Sequence, residues 1–596
     1  MDIFSKSSFT KRTDRDDKPK YSGVFLKRVI HICLMIFSLS TLSMGAQNEE
    51  ISKEITYTLE SRFNSRFSPL VKEIYRLNRY APLWTGDRNA EKFSLLLKVL
   101  ASPVYNYKNK NFNRKEIKSL AFRIDNGGFP SMEEPKALAR LDVMMSDALM
   151  RLLYFMRRGD VDWELVQKKL LVLKEKQDIH AVWEIKPKSM PTAKEIYTTL
   201  SKNDLAKFLE AQLPLKKRYI SLLEMFYKYR NMPKFHKIST GRKLKVGSTD
   251  GRLPDIKKIL KFFGDYPKGE PEDNQFDRTL SEAVKRFRAR FKLPDGNYID
   301  NKMIFYLNKG RDYYLKKILV NLDKMKLYPY SFEKRYVEVN VPEFKMRFYE
   351  NGEKRFDSDV VVGRIDRPTP IFDGKMTYMV LNPTWNIPDN LVRRDLIPML
   401  EKEPDYLVKH NIHVYDSYRK GAKEIEPDMA KLIEAKDPNV PIPYRFVQFP
   451  SEKNALGRVK FMFPNRYSVY LHDTDNKKLF GYRYRVFSSG CMRMEKPFEF
   501  MNILLSYAKG NYPKSKIEEI LESNEPYTIR LKETIPVHIV YFTARKEGDM
   551  DYFFYDIYLH DQIIWESTEG HRKETFKVPS NRLDPLHKKR KKRSFF

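Results

Sequence analysis

The chain has two cysteines. Cys33 lies in an apolar run near the start, and Cys491 stands in Phe487-Ser488-Ser489-Gly490-Cys491-Met492-Arg493. His472, in Tyr470-Leu471-His472-Asp473, precedes Cys491 by nineteen positions. A thiol nucleophile needs a base within hydrogen-bond reach, and a strand followed by a loop can fold such a pair together. Taken alone, a single Cys is most often a small buried hydrophobe and a strand His most often structural. Other chemistries have less support. There is no His-Glu-x-x-His and there are no paired cysteines, so no metal is expected.

Around that pair the residue types suit acyl transfer. A thiol near pKa 8.5 is only slightly ionised at neutral pH, so an imidazole or an electropositive loop should raise its thiolate content. Cys491 is then the nucleophile and His472 its general base, later its acid. Gly490 lets the loop bend so that backbone amides, notably that of Cys491, face a developing oxyanion. Ser488 and Ser489 either orient the loop and His472 or are structural. Arg493 suits a substrate carboxylate or a loop brace. Tyr470, Trp385 and Asn386 are expected to line the cleft.

The elements that must position these residues come late in the chain. Up to Glu50 there is a basic leader, the apolar run Val29–Phe37, then the small residues Ser43-Met44-Gly45-Ala46. The run is shorter than the ~20 residues of a spanning helix, so residues 1–46 read as a secretory signal peptide, with an uncleaved signal anchor as the alternative. The protein is expected to be exported and periplasmic. Residues 47–240 carry helical periodicity, with Leu138, Leu141, Met145, Leu149, Leu152 and Phe155 on one face and a capping box at Ser131–Glu134. They read as a helical scaffold. Residues 241–312 form a three-helix unit, and residues 313–335 a linker helix. From Tyr336 the period changes to two, with a hairpin turn at Asn351-Gly352. An all-β catalytic core over 336–545 is expected, interrupted by a lid insertion at about 389–465. Strands at Pro536–Tyr541 and Tyr552–Tyr558 read as a terminal pair. C-terminal strands fill 546–578, and 579–596 is a basic tail.

Composition narrows the partners. A formal net charge of +33 points to an anionic surface, either an envelope polymer or a membrane face. The charge is spread along the chain, and no zinc-finger spacing, aromatic RNA-binding motif or P-loop is present, so nucleic acid is not expected.

Two sets of motifs resemble known families. Leu280–Phe287 followed by the Asp295-Gly296 turn resembles a three-helix peptidoglycan-binding module. His472, fifteen residues, Ser488-Ser489-Gly490-Cys491, Met492 and Arg493 resemble the signature of YkuD-type L,D-transpeptidases. Val361-Val362-Gly363-Arg364 and Asn382–Pro388 extend the likeness, which is nearest to the large YcbB-type members. Smaller members have His where Ser489 stands, while the YcbB type shares the Ser-Ser form, so the base role falls on His472. The resemblance implies a multidomain α+β protein without a cofactor, with peptidoglycan stem peptides as donor and acceptor. Cys491 would attack the carbonyl before the terminal D-alanine, and an amine of a second stem would resolve the thioester into a 3→3 crosslink. Alternatives on the same fold are an L,D-carboxypeptidase and attachment of a protein to the wall. A non-catalytic wall-binding protein is a reading of another class.

Overall fold

Apolar residues repeating every three or four positions give the first part of the chain its helices, because that spacing puts one continuous stripe against the core. The computed structural model describes residues 41–177 and 179–576. The apolar run at 29–37, Cys33 and the basic tail at 579–596 lie outside the described residues. The chain divides into two compact units. One ends at Met156 and includes Ser189–Gln212; the other comprises Arg157–Lys188 and the chain from Leu213 onward.

In the first unit the long helix Glu134–Arg158 presents Leu141, Met145, Leu149, Leu152 and Phe155 to the interior, all buried. Between them sits the buried carboxylate of Asp142. It accepts from the backbone N–H groups of Leu83 (2.9 Å), Trp84 (2.9 Å) and Thr85 (2.7 Å) and from the Tyr75 hydroxyl (2.6 Å). A buried charge persists only with such partners. The capping box expected at Ser131 does not form: the Glu134 N–H donates to the Pro130 carbonyl (3.1 Å) instead. The box is at Thr192 and Glu195, opening the helix Ala193–Ser201. Proline at 130 closes a backbone turn that leaves Ser131 no role.

In the second unit the three expected helices run over Leu253–Phe263, Arg278–Arg290 and Asn301–Leu307. Asp277 and Asp300 cap the latter two by accepting from Leu280 and Met303 N–H groups. The helix Arg311–Met325, expected as a linker, is instead core. Its Lys317, Asn321 and Lys324 are buried, and Lys324 Nζ donates to Asp561 Oδ1 (2.7 Å) and to the Tyr541 carbonyl (2.7 Å). The carboxylate partner of these lysines, Asp561, lies more than two hundred positions along the chain, which is why the segment reads only as a linker helix in the sequence.

The strands follow in order: β1 Arg335–Asn340, β2 Lys345–Glu350, β3 Glu353–Gly363, β4 Asp373–Leu381, β5 Trp385–Asn386, β6 Ile412–Tyr415, β7 Arg445–Gln448, β8 Val459–Met462, β9 Leu471–His472, β10 Val486–Ser488, β11 Met492–Met494, β12 Tyr527–Val540, β13 Ala544–Glu547 and β14 Met550–Phe553. The main sheet runs β10-β3-β11-β9-β8-β4-β12-β1-β2. Strand β2 also pairs with the first half of β3 through the Asn351-Gly352 turn, where both residues have positive φ. The sheet therefore closes on itself, with β10 added alongside β3, and most of its edges are satisfied. Strand β9 is only the two residues Leu471–His472, because Ser468 turns into the left-handed region (φ 53°). The terminal pair is β13 with β14; Pro536–Val540 belongs to the main sheet, and a helix at His560–Trp565 follows.

The insertion is more than a lid. Strands β5, β7 and β6 make a separate small sheet, packed with short helices around Val392, Leu396, Ile397, Leu432 and Phe446. The main sheet resumes at β8, before position 465. Because this segment has its own core, Leu432→Ala should cost about 2–5 kcal/mol there. Limited proteolysis should then cut first between residues 389 and 458; a variant cut no faster than wild type there would contradict a self-packed insertion.

Candidate active site

Two short strands set the geometry. Strand β11 pairs parallel with β9, Met492 opposite Leu471 and Arg493 opposite His472, and the Met492 N–H donates to the Tyr470 carbonyl (3.1 Å). Cys491, one residue earlier, is thereby set beside Tyr470. On the other side of β9, antiparallel β8 puts Lys460 opposite His472. Opposed residues point to one face, so Lys460, His472 and Arg493 form a row across three strands. A cleft of about 330 Å³ opens over this row, lined by Cys491, His472, Tyr470, Arg493, Ser488 and Ser489 among others.

The nucleophile loop is held by its own polar groups. Gly490 has φ +120°, a conformation that side chains other than glycine's adopt only under strain. Ser488 Oγ donates to the Cys491 carbonyl (2.5 Å) and accepts from the Gly490 N–H (3.2 Å). Thr369 Oγ1 donates to the Gly490 carbonyl (2.8 Å) and accepts from the Gly363 N–H (2.9 Å). Gly363 is required there because a Cβ would stand 2.3 Å from the Arg367 carbonyl. Arg367 Nη1 donates to Ser489 Oγ (2.9 Å), and its guanidinium binds Asp395 of the insertion in fork geometry (2.5 and 3.2 Å).

Burial governs the electrostatics. It pushes the Cys491 thiol up to about 11, although the Tyr470 backbone, Arg493, the Tyr470 hydroxyl and Lys460 all pull the other way. Burial also lowers His472 to about 3, aided by the positive charges of Arg493 and Lys460 and opposed by the carbonyls of Asp473 and Leu456. At neutral pH the resting pair is a neutral thiol and a neutral imidazole. Sγ donates to the Ser468 carbonyl (3.8 Å), while Nδ1 of the 3% exposed His472 is buried and has no partner. Tyr470 packs edge-on to His472 with ring centroids 5.5 Å apart, and Trp385 donates to its hydroxyl.

The region that holds this cleft is similar to known proteins. Residues 334–539 match the L,D-transpeptidase catalytic domain called YkuD. Residues 69–225 match a scaffold domain. The chain is 29% identical over 306 residues to a "Putative L,D-transpeptidase" of Haemophilus influenzae, a match covering 50% of this chain and 60% of the relative. The chain thus spans about three fifths of the length of that relative. Among solved structures, an L,D-transpeptidase from Stackebrandtia nassauensis is 13% identical, with coverage of 52% of this chain and 97% of that one and a TM-score of 0.18. The Ldtfm–avibactam carbamoyl enzyme is 16% identical, with coverage of 36% and 51% and a TM-score of 0.15.

Within the YkuD domain, Cys491, His472, Ser488, Ser489, Tyr470, Arg493 and Trp385 share one cleft. Asn386 does not line it: its Oδ1 accepts from Arg445 (2.9 Å) inside the insertion's sheet. Gly490 shapes the loop, but its N–H is committed to Ser488, which leaves oxyanion binding to other donors. Arg493, half-buried at the end of the row, donates to Thr474 Oγ1 (3.3 Å), which makes it a brace and a source of field. Sequence reasoning missed Lys460, Thr369, Arg367 and Asp395. Only Thr369 left a signal, as the one hydroxyl between two prolines in the turn after Gly363. A thiol held near 11 loses its proton only at high pH, so Cys491 alkylation by iodoacetamide should speed up about tenfold per pH unit from 7 to 10. A plateau near pH 8.5 would contradict the neutral resting state.

Proposed function

We propose that this protein is an L,D-transpeptidase that forms 3→3 crosslinks between peptidoglycan stem peptides through a thioester on Cys491. The observation that carries the reading is the β9–β11 register, which sets Cys491 and His472 in one cleft. Sγ attacks the carbonyl between the third stem residue and the terminal D-alanine, and its proton passes to His472, whose Nδ1 has no other partner. Charge building on the carbonyl oxygen is met by loop donors and by the field of Lys460 and Arg493. The burial and the two cations that keep His472 neutral at rest make its imidazolium short-lived, so the proton moves on to the departing amine. D-alanine leaves, and the thioester remains. An amine of a second stem attacks it, the C–S bond breaks, an amide forms, and the thiol regains its proton.

The surrounding chain fits that work. The helices between Leu253 and Leu307 are assigned to peptidoglycan binding, and the net charge of +33 to attraction toward an anionic envelope. Export to the periplasm is part of the proposal and rests on the leader composition. Among the described residues no helix is long and apolar enough to cross a membrane.

Incubation with tetrapeptide muropeptides should give dimers with a 3→3 link by mass spectrometry. Cys491→Ala should abolish them without unfolding the protein, and His472→Ala should slow them by about 10²–10⁴-fold. Shortened monomers without dimers would replace transfer with hydrolysis. Dimers formed by folded Cys491→Ala at the wild-type rate would overturn the reading.

A further inference from the structure

The YkuD domain is touched from outside by residues 179–185, which lie in the part of the chain that matches a scaffold domain. Trp183 pairs parallel with Ile371: the Ile371 N–H donates to the Val182 carbonyl (3.0 Å) and the Glu184 N–H to the Ile371 carbonyl (2.9 Å). The segment is anchored on its other side as well. Trp183 is buried, stacks on Trp163 with centroids 6.3 Å apart, and meets His560 edge-on at 5.5 Å. Its indole N–H donates to the Ile185 carbonyl (3.1 Å), and Gln167 Nε2 donates to the Trp183 carbonyl (2.9 Å). Packed aromatics and paired backbone groups fix the point from which the Glu184 side chain extends.

That side chain reaches the turn before β9. Its Oε2 accepts from the Tyr467 hydroxyl (2.9 Å), and its Oε1 pairs with Arg466 (3.2 Å). Arg466 also donates to the Tyr467 hydroxyl from Nε (2.9 Å) and Nη2 (2.7 Å), so all the bonding capacity of that oxygen is used. The Tyr467 ring packs on Phe372 (5.1 Å), the residue after Ile371. The turn itself is strained. Ser468 has φ 53° without being glycine, a conformation that persists only where the surroundings over-determine it. Asn465 supplies part of that constraint, accepting from the Tyr467 N–H (3.0 Å) and donating to the Val469 carbonyl (2.8 Å). The strained residue is the one whose carbonyl accepts from Cys491 Sγ (3.8 Å). Ile371, for its part, lies two residues from Thr369, whose hydroxyl donates to the Gly490 carbonyl. One external segment therefore bears on the turn that faces the thiol and on the segment that holds its loop.

We propose that Glu184 is a positioning residue for the acylation of Cys491, acting through Tyr467 to hold the Ser468 carbonyl where it orients the thiol. The proposal rests on Cys491 being the acylated group, as in the transpeptidase reading. Glu184 does not line the cleft, so its effect falls on the rate of acylation and not on donor binding. The catalytic site is then completed by a residue outside the boundaries of the YkuD domain.

The test uses the full chain and a stem tetrapeptide donor without acceptor, with the rate of adduct formation followed by intact mass across donor concentrations. Glu184→Ala should lower the maximal acylation rate about fivefold, less than the full value of one hydrogen bond to a charged group because the carboxylate is partly exposed. The half-saturating donor concentration should stay within about twofold of wild type. Glu184→Gln keeps an oxygen for the Tyr467 hydroxyl and should recover most of the loss. Tyr467→Phe should lose about as much as Glu184→Ala, and the double variant no more than either alone, since both remove one hydrogen bond. The positioning role is overturned, with the transpeptidase reading intact, if Glu184→Ala acylates within about twofold of wild type or loses only donor affinity. Glu184→Gln no better than Glu184→Ala, or losses that multiply in the double variant, overturn it equally. Absence of any acyl-enzyme in wild type overturns both.

Discussion

The parallel pairing of β9 with β11 is the constraint on which the site depends. It spans two residue pairs, yet it fixes which side chains meet. A slip of one residue would turn His472 and Arg493 to the opposite face and move Cys491 away from Tyr470. So short a pairing needs support from both sides. Strand β8 holds β9 from one flank and β3 holds β11 from the other, within a sheet that closes through β2 and β3. The loop before β11 is held separately, by Ser488 inside it and by Thr369 and Arg367 outside it.

Desolvation decides the chemistry at rest. Two cations beside the thiol and the imidazole favour a thiolate and oppose an imidazolium, but burial outweighs them at Cys491 and reinforces them at His472. A neutral pair results. Such a site has little intrinsic reactivity toward solvent. Reaction then waits for a substrate whose carbonyl develops charge inside the same positive field. Preorganised charge of this kind costs no rearrangement when the barrier is crossed.

Much of the site was legible because its signals are local. Gly490 sits where a positive φ is needed, Asn351-Gly352 announces a hairpin, and the Cys491–His472 spacing spans one loop. What could not be read depends on distant partners. Lys460 looked like any strand lysine until β8 placed it against His472. The helix Arg311–Met325 looked like a linker because Asp561, its buried counter-charge, lies far along the chain. Asn386 was drawn toward the cleft by its neighbour Trp385, but successive residues of a strand face opposite ways, and only Trp385 reaches the thiol's side. The insertion read as a lid because its core residues are scattered between prolines and charges, and cohere only once β5, β7 and β6 pair.

The central claim is that Cys491 is the atom acylated in this cleft. Intact-mass analysis with peptide mapping, after brief incubation with a stem tetrapeptide donor and no acceptor, tests it most directly. The account predicts a tripeptidyl adduct on Cys491 with one equivalent of D-alanine released. A folded protein that carries no adduct, or carries it on a residue other than Cys491, would contradict it.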